Sequence, residues 1–174
     1  MKSVVVLLAT AATAAADPAR TGFTAAVRVG GAYTGAGQDT SLGYGWGLSF
    51  EAEAGAYLTD RLVGLAFARA EPTFGTHYSS GDSLRNFKVY YGAQFHAFVL
   101  PTLFAGVGVC RLDEFRSYLG SHDHDSALAI EAHLGAAVGH VNAAAVDVIA
   151  EIGRANYADP DYAVWGRLAI GLRW

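Results

Sequence analysis

The segment Ser121–Ser126, with the sequence Ser-His-Asp-His-Asp-Ser, is the densest group of polar side chains in the chain. Imidazole and carboxylate groups bind zinc and similar divalent ions, so His122 and His124 with their neighbouring aspartates form a candidate metal site. Four ligands within one short segment rarely reach tetrahedral geometry unaided, and no further cysteine or histidine lies beside them. We therefore interpret the segment as a solvated loop and predict neither a bound metal nor a cofactor.

His124, Ser126 and Glu131 form a second candidate centre, because a serine near a histidine and an acid can become an activated nucleophile. The His124-Asp125-Ser126 spacing resembles outer-membrane lipid A deacylases, which place a His-x-Ser pair and a glutamate on a barrel of this size. That family continues with an Asn-rich stretch containing Pro-Gly, whereas Ala127 begins a plain strand here. Its serine also lies in the membrane-facing wall, whereas Ser126 is predicted at a loop edge. We predict no catalytic residue and a non-enzymatic protein.

The elements that carry these side chains are strands, because apolar residues alternate with small or polar ones. In the last segment the even positions from Val164 to Trp174 are apolar apart from one glycine, and the odd positions are mostly small or cationic. The segment from Tyr44 to Leu58 repeats the pattern. A helix would distribute both sets around its circumference, so period-2 alternation favours strands.

Eight strands are predicted, at residues 22–33, 44–58, 62–72, 84–100, 103–115, 127–140, 144–156 and 163–174. Several exceed the roughly 9–11 residues that a tilted strand needs to cross hydrocarbon. Short connections at 59–61, 101–102 and 141–143 alternate with longer ones at 34–43, 73–83, 116–126 and 157–162. Tight turns at one end and longer loops at the other are typical of an outer-membrane barrel with periplasmic turns.

One face of the predicted strands collects ionisable side chains: Arg28, Glu51, Glu53, Lys88, His96, Glu131, His133, Asp147, Glu151, Arg167 and Arg173. Charge at membrane depth is costly unless it is paired or faces the interior, so we predict a lumen charge network. Because the termini of the barrel meet, Arg28, Glu51, Glu151 and Arg167 are expected to form a ladder of ion pairs. An eight-stranded barrel is just filled by its own side chains, which favours a structural plug over an ion or proton path.

Two arginines, Arg69 and Arg111, fall on the faces that we assign to lipid, beside Val63, Leu65 and Phe67 in one strand and Val107 and Val109 in the other. We predict that both lie above the bilayer, and a bulge that shifts the register is the alternative.

Aromatic residues near the strand ends are predicted to form interfacial girdles. Those near the loops are Tyr33, Tyr44, Trp46, Tyr157, Tyr162 and Trp165, and Phe23, Leu58 and Trp174 are near the turns.

The first sixteen residues have the features of a cleaved export signal. Lys2 precedes the apolar run Val4–Ala12, and Ala14–Ala16 supplies small residues before Asp17. The run is too short to span a bilayer, which needs roughly 20 residues. We therefore predict a signal peptide at 1–16 and a single barrel domain at 17–174.

Composition agrees with a membrane barrel. Charged residues are 16% of the chain, below the roughly 25% of soluble domains, while 52% of residues are hydrophobic and 21 are glycines. Without Lys2, the mature chain would carry 12 − 1 = 11 basic against 16 acidic residues, a net charge of −5. This acidity argues against a nucleic-acid partner. Cys110 is the only cysteine, so no intramolecular disulfide can form.

The last strand, with Leu168, Ile170, Leu172 and Trp174 on one face, resembles the C-terminal strand of outer-membrane proteins. In that family, this pattern is the signal for the barrel-assembly machinery. The layout of residues 22–174 resembles the eight-stranded barrels of the OmpA transmembrane domain and of the OmpX/Ail type. The resemblance implies an all-β, antiparallel, up-and-down transmembrane barrel in the bacterial outer membrane. Its expected partners are outer-membrane lipid, lipopolysaccharide and the assembly machinery, with the extracellular loop partner unknown.

A soluble lipocalin-like barrel is the main alternative fold, since it has the same strand number with the apolar face directed inward. The small, weakly charged second face would make a poor soluble surface, so we favour the membrane barrel. The predicted function is a non-enzymatic outer-membrane protein with a structural envelope role or a surface-interaction role through its loops. A lipid-modifying hydrolase and a soluble ligand-binding barrel are the alternatives.

Overall fold

The computed structural model describes residues 21–37, 44–77, 83–118, 121–157 and 162–174, and the predicted signal peptide lies outside them. Eight strands form a closed barrel: β1 Phe23–Gly37, β2 Tyr44–Tyr57, β3 Leu62–His77, β4 Ser83–Phe98, β5 Leu103–Tyr118, β6 Ser121–Val141, β7 Ala144–Asn156 and β8 Tyr162–Arg173. Each strand pairs antiparallel with its neighbours in sequence, and β8 closes on β1. The prediction of an eight-stranded up-and-down barrel is confirmed. No helix long and apolar enough to cross a membrane is found within the described ranges.

Tight turns join the strands at one end of the barrel, which we call the turn end; the opposite end is the loop end. After β2, the Thr59 hydroxyl accepts hydrogen bonds from the Arg61 and Leu62 amides at 3.2 and 3.0 Å. Between β6 and β7, Asn142 has a φ of 54°, a left-handed conformation that asparagine tolerates better than most residues. Local turn chemistry therefore fixes the register of consecutive strands.

Strand β6 is longer than predicted, because it begins at Ser121 rather than near residue 127. Its ladder with β5 continues from Leu103 to Tyr118 without a break. The predicted loop at 116–126 is therefore wrong over most of its length. The Phe115 and His124 rings stack with centroids 4.7 Å apart, and Arg116 donates to Asp125. These cross-strand contacts stabilise the extended β5–β6 ladder. Polar residues on both faces of this part of β6 gave no alternating pattern from which to predict it.

The outward face of the barrel is apolar around its circumference. Val27, Val29, Leu48, Phe50, Phe95, Val107, Val109, Ile130, Leu134, Ile152, Leu168 and Ile170 are each at least 46% exposed. Contiguous apolar surface of this kind is unusual on soluble monomers. The lipocalin alternative requires the opposite arrangement, with the apolar face inside, and the structure does not have it.

The predicted lipid face of β3 is wrong. Val63, Leu65 and Phe67 are buried, and Arg69 is buried on the same face. Alanines 66 and 68 point outward instead. The prediction followed side-chain size, whereas here bulky residues fill the lumen and alanines face out. Arg111 differs, because its outward side chain is 54% exposed and pairs with Asp113 at 3.0 Å.

Glycines in the wall make room for large lumen side chains. A Cβ on Gly153 would lie 2.0 Å from Cζ2 of Trp165, directly across the β7–β8 ladder. Gly166, on β8, is different, because a Cβ there would have no neighbour nearer than 3.9 Å. The two glycines therefore form a matched pair for testing how tightly the lumen is packed.

We predict that Gly153→Ala lowers the free energy of unfolding by about 1–3 kcal/mol, because the indole must move within a filled interior. Gly166→Ala is the control and should leave it unchanged. Urea unfolding of the folded barrel in detergent micelles, followed by tryptophan fluorescence, measures both. Equal stability of the two variants would contradict the packing described here.

Candidate functional site

The lumen holds the largest group of interacting polar side chains in the structure. Its buried ionisable groups, none more than 8% exposed, are Arg28, Glu51, Glu53, Arg69, Glu71, Lys88, Glu114, Glu131, Asp147, Glu151, Arg167 and Arg173, with His96 and His133. All the residues of the predicted lumen network lie here. Arg69, Glu71 and Glu114 were not among them.

Toward the turn end, Arg28 and Arg173 bind carboxylates of two strands, β2 and β7. We call Arg28, Glu53, Asp147 and Arg173 the lower layer. Arg28 Nη2 lies 2.6 Å from Glu53 Oε1 and 3.8 Å from Asp147 Oδ2. Arg173 Nε lies 2.9 Å from the same Asp147 oxygen. Gln94 also donates a hydrogen bond to Glu53. The lower layer thus ties β1, β2, β4, β7 and β8 together.

Near the middle of the lumen, Arg69, Arg167, Glu51, Glu71, Glu131 and Glu151 form what we call the middle layer. Arg167 Nη2 lies 2.7 Å from both Glu51 Oε2 and Glu151 Oε2. Glu51 also contacts Arg28 at 2.9 Å, which joins this layer to the lower one. The predicted ladder residues Arg28, Glu51, Arg167 and Glu151 are therefore connected in that order.

Arg69 is the centre of the middle layer. Its guanidinium lies 2.5 Å from Glu151, 3.1 Å from Glu131 and 3.4 Å from Glu51. The fourth carboxylate, Glu71, lies 3.1 Å from Nε. The guanidinium carbon also lies 4.2 Å from the centre of the Tyr90 ring, a cation–π distance. One cation thus contacts carboxylates from β2, β3, β6 and β7.

Toward the loop end, Trp165 is buried in the lumen, so its assignment to the interfacial girdle was wrong. Its indole Nε1 donates to Glu151 Oε1 at 3.0 Å, and its ring lies 5.2 Å from that of Tyr90. Tyr157, also assigned to the girdle, is half-buried and donates to Glu114 at 2.6 Å. The Lys88 ammonium lies 4.0 Å from the same carboxylate. Two further residues of the predicted girdle, Tyr33 and Trp46, are exposed and contact each other.

Two apolar clusters flank the ion pairs. Tyr57, Val63, Leu65, Phe98, Phe104 and Ile149 pack together on the turn side. On the loop side, Phe67, Tyr90, Cys110, Leu112, Trp165 and small neighbours pack together. The side chains therefore fill the barrel interior, as expected for eight strands.

The candidate nucleophile is not assembled. His124 and Ser126 point to the outer face of β6, while Glu131 is buried in the lumen. The His124 ring stacks on Phe115, and its Nε2 lies 3.7 Å from Asp113. Among the described residues, the Ser126 hydroxyl has no hydrogen-bond partner. Since base and nucleophile must be in hydrogen-bond reach, these side chains form no catalytic centre in this geometry.

Of the candidate metal ligands, His122 and His124 lie on a different side of β6 from Asp125. His122 and His124 lie in the outward register, whereas Asp125 pairs with Arg116 across the ladder. They therefore do not converge on one point.

The residues of the predicted assembly signal line the outer seam of the barrel. Leu168, Ile170 and Trp174 are exposed and Leu172 is half-buried. The Trp174 backbone exchanges hydrogen bonds of 2.9 and 3.2 Å with Ala25 in β1. The residue thus helps to close the barrel.

We predict that Arg69→Met destabilises the barrel by about 3–5 kcal/mol, because it leaves buried carboxylates without their counter-ion. Arg111→Met is the matched control, since that arginine lies on the outer face with one partner, and its effect should be small. Urea unfolding in micelles provides the measurement. Similar losses in both variants would show that the lumen network does not determine stability.

Three solved structures illustrate what this fold is similar to. Neisserial surface protein A matches with a TM-score of 0.56 and 14% identity over 87% of this chain and 95% of its own. The attachment invasion locus protein Ail of Yersinia pestis, in complex with the heparin analogue sucrose octasulfate, matches with a TM-score of 0.57 and 13% identity over 87% and 99%. The Yersinia pestis outer membrane protein Ail in a phospholipid bilayer nanodisc matches with a TM-score of 0.53 and 14% identity over 88% of this chain and 100% of its own.

No family model matches the sequence, and no curated protein matches it in a sequence search. At the identities of the structural matches, the similarity shows the fold alone. The chain has the fold of small eight-stranded barrels such as Ail and Neisserial surface protein A, and the predicted resemblance to the Ail type is confirmed.

Proposed function

We propose that this chain is a non-enzymatic integral protein of the bacterial outer membrane, in which a sealed barrel presents the strands and connections of its loop end at the cell surface. The observation that carries the proposal is the inverted distribution of polarity. Among the described residues, apolar side chains cover the outer face while twelve Asp, Glu, Lys and Arg side chains are buried within. Hydrocarbon is the solvent in which that distribution is stable. Because the lumen is filled, we propose an envelope role or a surface-interaction role rather than conduction through the barrel.

Outer-membrane lipid and lipopolysaccharide are the partners that the outer face suits. Arg111 and Arg154 point outward, two residues beyond the apolar Val109 and Ile152 toward the loop end. Arg154 lies 4.4 Å from the ring centre of Tyr162. Cations and aromatic rings at the edge of an apolar belt fit the anionic headgroups of a membrane interface. We propose the barrel-assembly machinery as the partner during insertion, through Leu168, Ile170, Leu172 and Trp174.

We do not expect this chain to bind the sulfated ligand that is seen in the Ail complex. The segments 38–43, 78–82, 119–120 and 158–161, which lie outside the described residues, contain four aspartates and no lysine or arginine in their sequence. Net negative charge in these segments disfavours the approach of a polyanion. We therefore propose a neutral or cationic surface partner rather than a sulfated glycan.

We predict that the protein, with residues 1–16 removed, remains in the outer-membrane fraction after carbonate washing and migrates faster on a gel unless it is boiled. Deleting Trp174 should slow insertion and leave more protein sensitive to periplasmic proteases, because the β1–β8 seam loses its last backbone pair. Fractionation and protease accessibility measure both effects. Recovery of the wild type as a soluble periplasmic or secreted protein would contradict the proposal.

We predict that purified wild-type protein in planar bilayers gives at most small, sporadic conductance, because ion pairs and apolar clusters fill the lumen. Glu51→Gln should lower stability without opening a path. Single-channel recording of both proteins tests this. A stable current whose ion selectivity changes in Glu51→Gln would instead favour an ion path.

We predict that Ser126→Ala and His124→Ala leave the acylation of lipid A unchanged, because the two side chains and Glu131 do not converge. Mass spectrometry of lipid A from cells that express each variant or the wild type is the measurement. Deacylation by the wild type that either variant abolishes would establish the hydrolase alternative.

A further inference from the structure

The lumen contains a group of potential metal ligands that the sequence pattern did not bring together. One ligand atom each of Glu131, His133 and Glu151 lies within 4.8 Å of the other two. We propose that these three residues bind a first-row divalent transition-metal ion, such as Zn²⁺, inside the barrel. One imidazole and two carboxylates suit zinc and its neighbours, and three protein ligands leave a position for water.

Unpartnered polar atoms point to a ligand at this place. Glu131 is 4% exposed and His133 is 7% exposed. The Oε1 atom of Glu131 and both ring nitrogens of His133 have no hydrogen-bond partner in the protein. A buried polar atom without a partner loses roughly 1–3 kcal/mol of solvation. A metal ion that accepts one lone pair from Glu131 and one from His133 would therefore recover part of this solvation loss.

The charge of the lumen provides an independent argument. Its buried side chains include seven carboxylates and five cations, an excess of two negative charges. The lower layer is balanced, with Arg28 and Arg173 against Glu53 and Asp147. Toward the loop end Lys88 and Arg116 lie 4.0 and 3.6 Å from Glu114. Carboxylates are most concentrated in the middle layer, where Glu51, Glu71, Glu131 and Glu151 surround Arg69 and Arg167. Arg28 is a further partner of Glu51, and Lys88 lies across the ladder from Glu71.

The two lumen histidines do not supply the missing charge. Their ring centroids are 4.5 Å apart, so two imidazolium ions would repel each other. The His96 ring also stacks on Phe104 at 4.8 Å. Within the described ranges neither histidine forms an ion pair with a carboxylate. A divalent cation at Glu131, His133 and Glu151 would balance the layer, and the alternative is two protons on its carboxylates.

The surrounding wall holds the three ligands in place. A Cβ on Gly106 would lie 2.0 Å from Nε2 of His133, and one on Gly108 would lie 2.9 Å from Oε1 of Glu131. Both ligand side chains therefore occupy space that glycines of β5 leave free. Trp165 and Arg167 fix the Glu151 carboxylate at 3.0 and 2.7 Å. Hydrogen bonds of this kind orient metal-ligating carboxylates.

Arg69 is the group that opposes the proposal, because it contacts both Glu131 and Glu151. It also has Glu51 and Glu71 as partners. Arg167 also binds Glu51 and Glu151, and four carboxylates carry more charge than these two guanidinium groups neutralise. The arginine and a metal ion would therefore share the carboxylates of the middle layer.

The test is metal content of the full-length barrel, refolded in micelles with Zn²⁺ present because the lumen is closed, then dialysed against metal-free buffer. We expect about one zinc per wild-type barrel. His122→Ala/His124→Ala, which removes the outer histidines of β6, is the matched control and should retain it. Glu131→Gln and His133→Gln should weaken Zn²⁺ binding at least about tenfold, since even indirect partners of a metal contribute that much.

Two further measurements keep the test decisive if a lumen variant fails to fold. Heat-modifiable migration identifies the folded variants, and wild-type protein refolded with Co²⁺ should show visible absorption typical of nitrogen and oxygen ligands. Zinc should also raise the thermal unfolding temperature of the wild type. Folded wild type without zinc or cobalt would overturn the proposal in favour of protonated carboxylates. Loss of binding only in His122→Ala/His124→Ala would assign the metal to the outer face and overturn it as well.

Discussion

The constraint on which the structure depends is that charged side chains must be paired when water is out of reach. Arg69 illustrates it, because its guanidinium contacts four carboxylates and an aromatic ring inside a wall whose outer face is apolar. An uncompensated buried ion costs several kcal/mol. Since successive residues of a strand point to opposite sides, each inward charge obliges its neighbours to face out. The ion pairs thus fix strand register as well as stability.

Small residues in the wall make this interior possible. Eight strands enclose a space that side chains just fill, and Arg, Trp and Phe are large for it. Gly153 faces Trp165, and a Cβ on Gly135 would lie 2.2 Å from Phe104. Glycine opposite a large side chain therefore recurs at different levels of the lumen. The sequence has 21 glycines, and those at these positions leave the space that the buried rings occupy.

Period-2 alternation was sufficient to predict the number of strands, the topology and the lumen position of most charges. It failed where both faces of a strand have similar polarity. In β3 the bulky Val63, Leu65 and Phe67 led to the wrong face, although Arg69 and Glu71 alternate with alanine and proline and indicate the inward side. Trp165 was misplaced because aromatic residues near strand ends usually lie at an interface. In β6 polar residues on both faces hid a strand. Contacts between strands far apart in sequence, such as those of Arg69, leave no local pattern.

The distribution of charge in the lumen bears on whether the barrel conducts ions or holds a cation. A path for ions needs groups that exchange partners along the barrel axis and a route past its ends. Here apolar clusters flank the network, and its lower layer is neutral with each cation bound to a carboxylate. Carboxylates are most concentrated at one level, where Glu131 and His133 also have unpartnered atoms. A closed, locally anionic chamber suits the holding of a cation better than its passage.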